Sequence, residues 1–98
     1  MKVLIADPIS KHGLSILSDS GLDLIIKADS SLDEKLRAVE EVDGIIIRSG
    51  TKVDNKMLQI AKCLKVIGRA GVGIDNIELA AATRRGIVVM NTPDVNTI

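Results

Sequence analysis

Residues 43–48 read "DGIIIR", three isoleucines in a row between a glycine and an arginine. A β-branched run without polar alternation is typical of a strand that is covered on both faces of its sheet. Four further runs of this kind surround it in the chain: "KVLIA" at 2–6, "LDLIIK" at 22–27, "LKVIGR" at 64–69 and "GIVVMN" at 86–91. Their centres lie about 21 residues apart, so the sequence predicts five regularly spaced strands.

The segments between these runs carry helix signals. Ser31 followed by Glu34 is a capping box, and Asp54 is placed as the N-cap of the next helix. For the last helix we expect Asn76 as the N-cap and Gly86 just past the end. A first helix is predicted at about residues 9–20. Strand and helix thus alternate four times and end on a fifth strand.

This alternation predicts an α/β fold: a doubly wound, five-stranded parallel sheet in the flavodoxin-like order 2-1-3-4-5. The chain has 98 residues, which suits one domain over residues 1–98. A typical two-domain enzyme needs a longer chain.

The composition excludes several classes of function. Thirteen basic residues balance 13 acidic ones, so we expect neither a nucleic-acid surface nor an anionic membrane surface. The apolar run near the N-terminus is too short for a signal peptide or membrane span, which points to the cytoplasm. Cys63 is the only cysteine and His12 the only histidine, so no metal site is expected. We expect Cys63 to be a structural residue of the apolar pattern "MLQIAKCL" and His12 to be a solvated helix residue.

In a parallel α/β sheet, ligands bind at the carboxyl ends of the strands. The third strand is followed by "RSGT" at 48–51, the fourth by "RAGVG" at 69–73 and the fifth by "NTPDVN" at 91–96. Because strands three and four are predicted neighbours, Arg48 and Arg69 should emerge side by side, where they suit a phosphate or carboxylate. Alternatively, each arginine pairs with a nearby carboxylate such as Asp75. The spacing alone leaves both interpretations open.

The segment "GRAGVGIDN" at 68–76 partly matches a dinucleotide-binding turn. Gly71 and Gly73 satisfy the first half of G-x-G-x-x-G, and Asp94 lies at about the distance of a ribose-binding acid. The third glycine is replaced by Asn76, a better helix N-cap than a close-packing residue. We therefore expect this turn not to bind a pyrophosphate.

A phospho-acceptor receiver domain would share this architecture. Such a domain needs an acidic cluster after strand one and an acceptor aspartate after strand three. Here only Asp7 follows strand one, and Arg48 stands at the acceptor position. The strand-end loops also contain no serine elbow and no P-loop lysine, so these enzyme classes are excluded.

Two long segments, "IIIRSGTKV" and "VIGRAGVGIDNIELAAATRRGIVVMNTP", together with the spacing between them, resemble the D-isomer-specific 2-hydroxyacid dehydrogenases. Within that family the likeness is to the N-terminal part of the enzymes that act on 3-phosphoglycerate. It is close over residues 44–93 and looser over the rest of the chain. The resemblance implies a flavodoxin-like substrate-binding domain, truncated before the inserted dinucleotide-binding domain.

The resemblance also implies roles for individual residues. Arg48 and Arg69 would bind the phosphate or carboxylate of the substrate, and two arginines favour a doubly anionic acid such as 3-phosphoglycerate. The other residues implied to line the site are Ser49, Gly50, Gly71, Val72 and Asn96. Val72 would also approach the nicotinamide, and Asn96 would lie near the hinge between the domains.

For the complete enzyme, the resemblance implies NAD as the cofactor and oxidation of 3-phosphoglycerate to 3-phosphohydroxypyruvate in serine biosynthesis. The family's cofactor fingerprint and its catalytic arginine, glutamate and histidine are expected beyond Ile98, so no catalytic residue is expected here and NAD should not bind this chain tightly. We also expect a homo-oligomer. The alternative is a stand-alone βα module that binds an anion or assembles without catalysis.

Overall fold

The computed structural model describes residues 1–48, 50–69 and 77–91. Within them, strands and helices alternate as the sequence predicts. In chain order the elements are β1 (Lys2–Ile5), α1 (Lys11–Asp19), β2 (Asp23–Ile26), α2 (Leu32–Val39), β3 (Gly44–Ile47), α3 (Asn55–Ile60), β4 (Val66–Arg69), α4 (Leu79–Arg84) and β5 (Val88–Asn91). The five apolar runs are the five strands.

The strands form one sheet in the order β2-β1-β3-β4-β5, and all neighbouring pairs are parallel. The predicted flavodoxin-like order is therefore confirmed. The chain moves outward from β1 to β2 and then returns to place β3 on the other side of β1. The strand order thus reverses between β1 and β3, and this reversal creates a crevice at the carboxyl ends of these two strands.

The main core lies between one face of the sheet and helices α2 to α4. Its fully buried members include Leu4, Ile45, Ile47 and Ile67 from the strands and Val39, Met57, Leu58 and Ala82 from the helices. Side chains alternate between the faces of a strand, so Ile46, Val66 and Met90 belong to the opposite face. That face includes a wholly apolar groove of about 240 Å³ beside Leu17 of α1.

Two of the predicted N-caps are confirmed, and so is the glycine that ends the last helix. The Ser31 hydroxyl accepts a hydrogen bond from the Glu34 amide at 3.3 Å, and the Asp54 carboxylate accepts one from the Met57 amide at 3.0 Å. Gly86 follows α4 with φ of +73°, a conformation that glycine adopts without a Cβ penalty. These local signals operate without help from the rest of the fold.

The predicted start of the last helix is wrong. Helix α4 begins at Leu79 with Glu78 before it, and Asn76 lies outside the described residues. A tertiary contact explains the later start: Ile77 is buried and bridges to Val53, and the Glu78 amide donates to the Val53 carbonyl at 2.9 Å. This contact holds residues 77 and 78 out of the helix.

The prediction for Cys63 is also wrong, because its side chain is exposed. Helix α3 ends at Ile60, and beyond that point Ala61 and Leu64 are the residues that turn into the core.

His12 is exposed on α1, as expected. No helix in the described part of the chain is long and apolar enough to span a membrane.

Candidate functional site

The loops after β1 and β3 meet at the reversal of strand order. The Ala6 amide continues the sheet by donating to the Ile46 carbonyl at 3.0 Å. Beyond this bond, Asp7 contacts Arg48, Gly50 and Thr51 of the loop at residues 48–51. Pro8 contacts Arg48 in the same loop, which has the sequence "RSGT". In doubly wound sheets this is the position where ligands bind.

The carboxylate of Asp7 organises the loop at residues 48–51. Its Oδ2 atom accepts hydrogen bonds from the Arg48 amide at 2.7 Å and from the Thr51 amide at 2.9 Å. Its Oδ1 atom accepts one from the Thr51 hydroxyl at 2.7 Å. Asp7 is 3% exposed and Thr51 is equally buried. One buried carboxylate therefore holds both ends of a four-residue loop through charge-assisted hydrogen bonds.

A lysine from helix α2 accompanies this buried charge. The Nζ atom of Lys35 lies 4.0 Å from Oδ1 of Asp7, and the two side chains are only 12% and 4% exposed. Burying an ionised carboxylate is costly unless it is paired and hydrogen-bonded. Lys35 and the loop donors together meet this condition.

Arg48 directly follows β3, whereas Arg69 is the last residue of the neighbouring strand β4 and does not lie in the loop after it. Ile47 pairs with Arg69 in the parallel ladder, so Arg48 lies one residue beyond that pair. The Arg48 guanidinium donates from Nη1 to the Pro8 carbonyl at 3.2 Å, on the β1 side of β3. Arg69 lies on the β4 side and is 9% exposed. The two arginines thus occupy the same end of the sheet on opposite sides of β3.

Next to the loop lies a cavity of about 370 Å³ between α2 and α3. Gly50 and Thr51 form part of its wall, and Lys35, Lys52 and Lys56 also line it. Asp54 is the acidic residue among those that line it. The surroundings of the loop are therefore rich in positive charge, which favours an anion.

Of the predicted site residues, Arg48, Gly50 and Arg69 lie in the described part of the chain. Four others, Ser49, Gly71, Val72 and Asn96, lie outside the described residues, as do Asp75 and the glycines of the "RAGVG" turn. Among the described residues, no three histidine, cysteine, aspartate or glutamate side chains form a group that could hold a metal ion. The assignments of these residues to a substrate site stay predictions.

Sequence reasoning missed the role of Asp7. Its position carried a signal, because an acidic residue directly follows the buried run "KVLIA" at the carboxyl end of a strand. What the sequence did not reveal is the partner, since Arg48 and Thr51 are 41 and 44 residues away.

Known proteins resemble this chain in sequence and in structure. The sequence profile of the D-isomer specific 2-hydroxyacid dehydrogenase catalytic domain matches residues 3–98. The D-3-phosphoglycerate dehydrogenase of Archaeoglobus fulgidus is 51% identical over 98 residues, which is all of this chain and 19% of that protein. The human D-3-phosphoglycerate dehydrogenase is 44% identical over 97 residues, which is 99% of this chain and 18% of that protein.

A solved structure of a dehydrogenase also resembles this chain. The 3-phosphoglycerate dehydrogenase of Entamoeba histolytica, crystallised with NAD⁺ bound, superimposes with a TM-score of 0.81 at 30% identity. The match covers 95% of this chain and 33% of that chain. This chain therefore spans less than a fifth of the length of the two sequence relatives and a third of the structural one. It belongs to the D-isomer-specific 2-hydroxyacid dehydrogenases, an NAD-dependent family of oxidoreductases, and matches their catalytic domain.

Proposed function

We propose that this chain is the substrate-binding part of an NAD-dependent D-3-phosphoglycerate dehydrogenase, which oxidises 3-phosphoglycerate to 3-phosphohydroxypyruvate in the cytoplasm as a step towards serine. The observation that carries the proposal is an arginine at the carboxyl ends of two adjacent strands, in a chain that is 51% identical to the Archaeoglobus enzyme. The substrate has a phosphate at one end and a carboxylate at the other. Two arginines match its two anionic groups better than the single group of a plain hydroxy acid.

In this proposal Arg48 and Arg69 bind the anionic ends of the acid, and Ser49, Gly50, Gly71 and Val72 line its site. Val72 also faces the nicotinamide, and Asn96 lies near the hinge. Arg48 is already held by its bond to the Pro8 carbonyl, so part of the entropy cost of ordering its side chain is met before the acid binds.

The rest of the complete enzyme would bind NAD and supply the group that exchanges the hydroxyl proton. Hydride transfer requires a nicotinamide held against the carbon that bears the hydroxyl. We assign to this chain the binding and orientation of the acid. The complete protein is proposed to be a homo-oligomer.

A titration of the 98-residue chain with 3-phosphoglycerate, followed by NMR, tests this proposal. D-lactate, which has a single anionic group, and NAD serve as comparison ligands. We expect weak, salt-sensitive binding of 3-phosphoglycerate, weaker binding of D-lactate and no tight binding of NAD. Each of Arg48→Ala and Arg69→Ala should weaken binding about tenfold or more, because each removes charge-assisted hydrogen bonds.

Arg85→Ala is the matched control, because Arg85 is an exposed arginine at the far end of α4. It should leave the affinity unchanged. If Arg85→Ala weakened binding as much as Arg48→Ala, the interaction would be unspecific attraction to positive charge. Tight binding of NAD alone would show that "GRAGVGIDN" is a dinucleotide turn after all.

A further inference from the structure

We propose that Asp7 is a positioning residue for the acid-binding site: its carboxylate holds the loop at residues 48–51 in the conformation that binds the substrate. The inference rests on the proposed function of this loop. Only 3% of the surface of Asp7 is exposed, so Asp7 acts through the loop and does not touch the acid. A carboxylate would also repel an anionic substrate at close range.

The two ends of the loop converge on a single atom. Oδ2 of Asp7 lies 2.7 Å from the Arg48 amide nitrogen and 2.9 Å from that of Thr51. These amides belong to residues three apart in sequence, so accepting from both fixes the positions of Arg48 and Thr51 relative to each other. The start of the loop and its end are thereby fixed relative to β1, which ends at Ile5, two residues before Asp7.

Gly50 supports the same interpretation. A Cβ atom added to Gly50 would lie 2.8 Å from Oδ1 of Asp7, closer than Cβ contacts normally come. The backbone at Gly50 therefore packs directly onto the carboxylate. Removing the carboxylate would leave a gap below Gly50 as well as two amides without their acceptor.

Lys35 makes this arrangement compatible with an anion site. A buried negative charge near the loop would weaken the attraction for a phosphate or carboxylate. The Nζ atom of Lys35 lies 4.0 Å from Oδ1 of Asp7 and compensates that charge. The hydrogen bonds of Asp7 can therefore shape the loop without a net negative field at its surface.

The test compares Asp7→Ala with Asp7→Asn in the complete enzyme. Alanine removes every acceptor. Asparagine keeps its carbonyl oxygen on the Arg48 and Thr51 amides. Its NH₂ group then donates to Thr51 Oγ1, whose proton turns to the Ala6 carbonyl 3.3 Å away. The asparagine variant thus retains the shape of the loop without the charge.

We expect Asp7→Ala to raise the KM for 3-phosphoglycerate about tenfold or more, with the KM for NAD unchanged. Asp7→Asn should restore the KM for the acid to within a few-fold of the original value. An unchanged KM in Asp7→Ala, or an equal rise in both variants, would overturn the proposal. An equal rise would mean that the charge of Asp7 matters and not its hydrogen bonds.

Amide hydrogen exchange tests the positioning role of Asp7 separately from the proposed substrate. It also provides a test if Asp7→Ala does not fold. In Thr51→Val both backbone bonds to Asp7 remain, so the amides of Arg48 and Thr51 should stay as protected as in the original protein. In Asp7→Ala, or in Asp7→Leu if alanine does not fold, these amides should lose protection while those of β4 keep it. Retained protection in Asp7→Ala or Asp7→Leu would overturn the inference. If the complete enzyme without substitutions showed no activity on 3-phosphoglycerate, the proposed function would instead be refuted.

Discussion

Gly50 lies directly against the carboxylate of Asp7, so closely that a Cβ atom at position 50 would come within 2.8 Å of Oδ1. Asp7 follows the first strand and Gly50 follows the third, and the fold brings them together where the strand order reverses. The requirement for glycine at position 50 therefore comes from a distant side chain and not from the local backbone. This relationship can be measured by a double-mutant cycle.

Gly50→Ala should lower the free energy of unfolding by about 1–3 kcal/mol, because the added methyl group clashes with a buried carboxylate. In an Asp7→Ala background the carboxylate is absent, so the same substitution should cost clearly less. Urea denaturation of the four proteins gives the coupling energy. Gly86→Ala is the control: Gly86 has φ of +73° and no atom within 4 Å of an added Cβ, so its cost should be the same in both backgrounds. Equal costs for Gly50→Ala in both would show that the contact with Asp7 does not matter.

Lys35→Met should destabilise the protein more than Lys65→Met. Both lysines lie 4.0 Å from an aspartate oxygen, but Lys35 is 12% exposed beside Asp7 whereas Lys65 is 73% exposed beside Asp43. A screened surface pair contributes less than about 1 kcal/mol, and loss of a buried partner costs more because the remaining charge is uncompensated. Methionine keeps most of the apolar stem of each lysine.

Chemical denaturation of the two lysine variants tests this difference. An Asp7→Asn background provides the check, since without the carboxylate Lys35→Met should lose most of its excess cost. If the two lysine variants were equally stable, compensation of the charge on Asp7 would not depend on Lys35.

Asp54→Ala should cost about 0.5–2 kcal/mol, because the Asp54 carboxylate accepts the hydrogen bond from the Met57 amide that begins α3. Helix α3 has only six residues, so the hydrogen bond at its cap is a large part of what stabilises it. Asp54→Ser should retain most of the stability, since serine is also a good N-cap. Asn55→Ala, at the exposed next position, serves as the control in thermal or urea unfolding. A cost for Asn55→Ala equal to that of Asp54→Ala would argue against a capping effect.

Local signals predicted most of the fold. The five apolar runs became the five strands, and Ser31 and Asp54 cap their helices, because these preferences depend on neighbouring residues only. The errors occur where distant contacts decide. The bridge between Val53 and Ile77 delays α4, and the end of α3 at Ile60 leaves Cys63 outside the helix and exposed.

The candidate site shows the same division. Placing Arg48 and Arg69 at one end of the sheet needed only the strand order, which the alternation of elements predicted. Predicting the role of Asp7 would have required the register of β1 against β3 and the position of the loop after β3. Neither can be inferred from the residues next to Asp7 in sequence. The direction of the Arg48 guanidinium, towards Pro8, depends on the same loop.

The 98-residue chain should associate in solution through the sheet face that α1 leaves uncovered. At the β5 edge of that face Val88 is 57% and Met90 47% exposed, and Met90 lines the apolar groove with Ile46. The formal net charge is zero, so little repulsion opposes contact between two copies. Light scattering should report a dimer or larger species, and Val88→Thr combined with Met90→Thr should shift it towards the monomer. Ile26→Thr is the matched control, because Ile26 is 59% exposed at the opposite edge of the sheet, in β2. A monodisperse monomer would contradict the prediction, and an equal effect of Ile26→Thr would place the contact elsewhere.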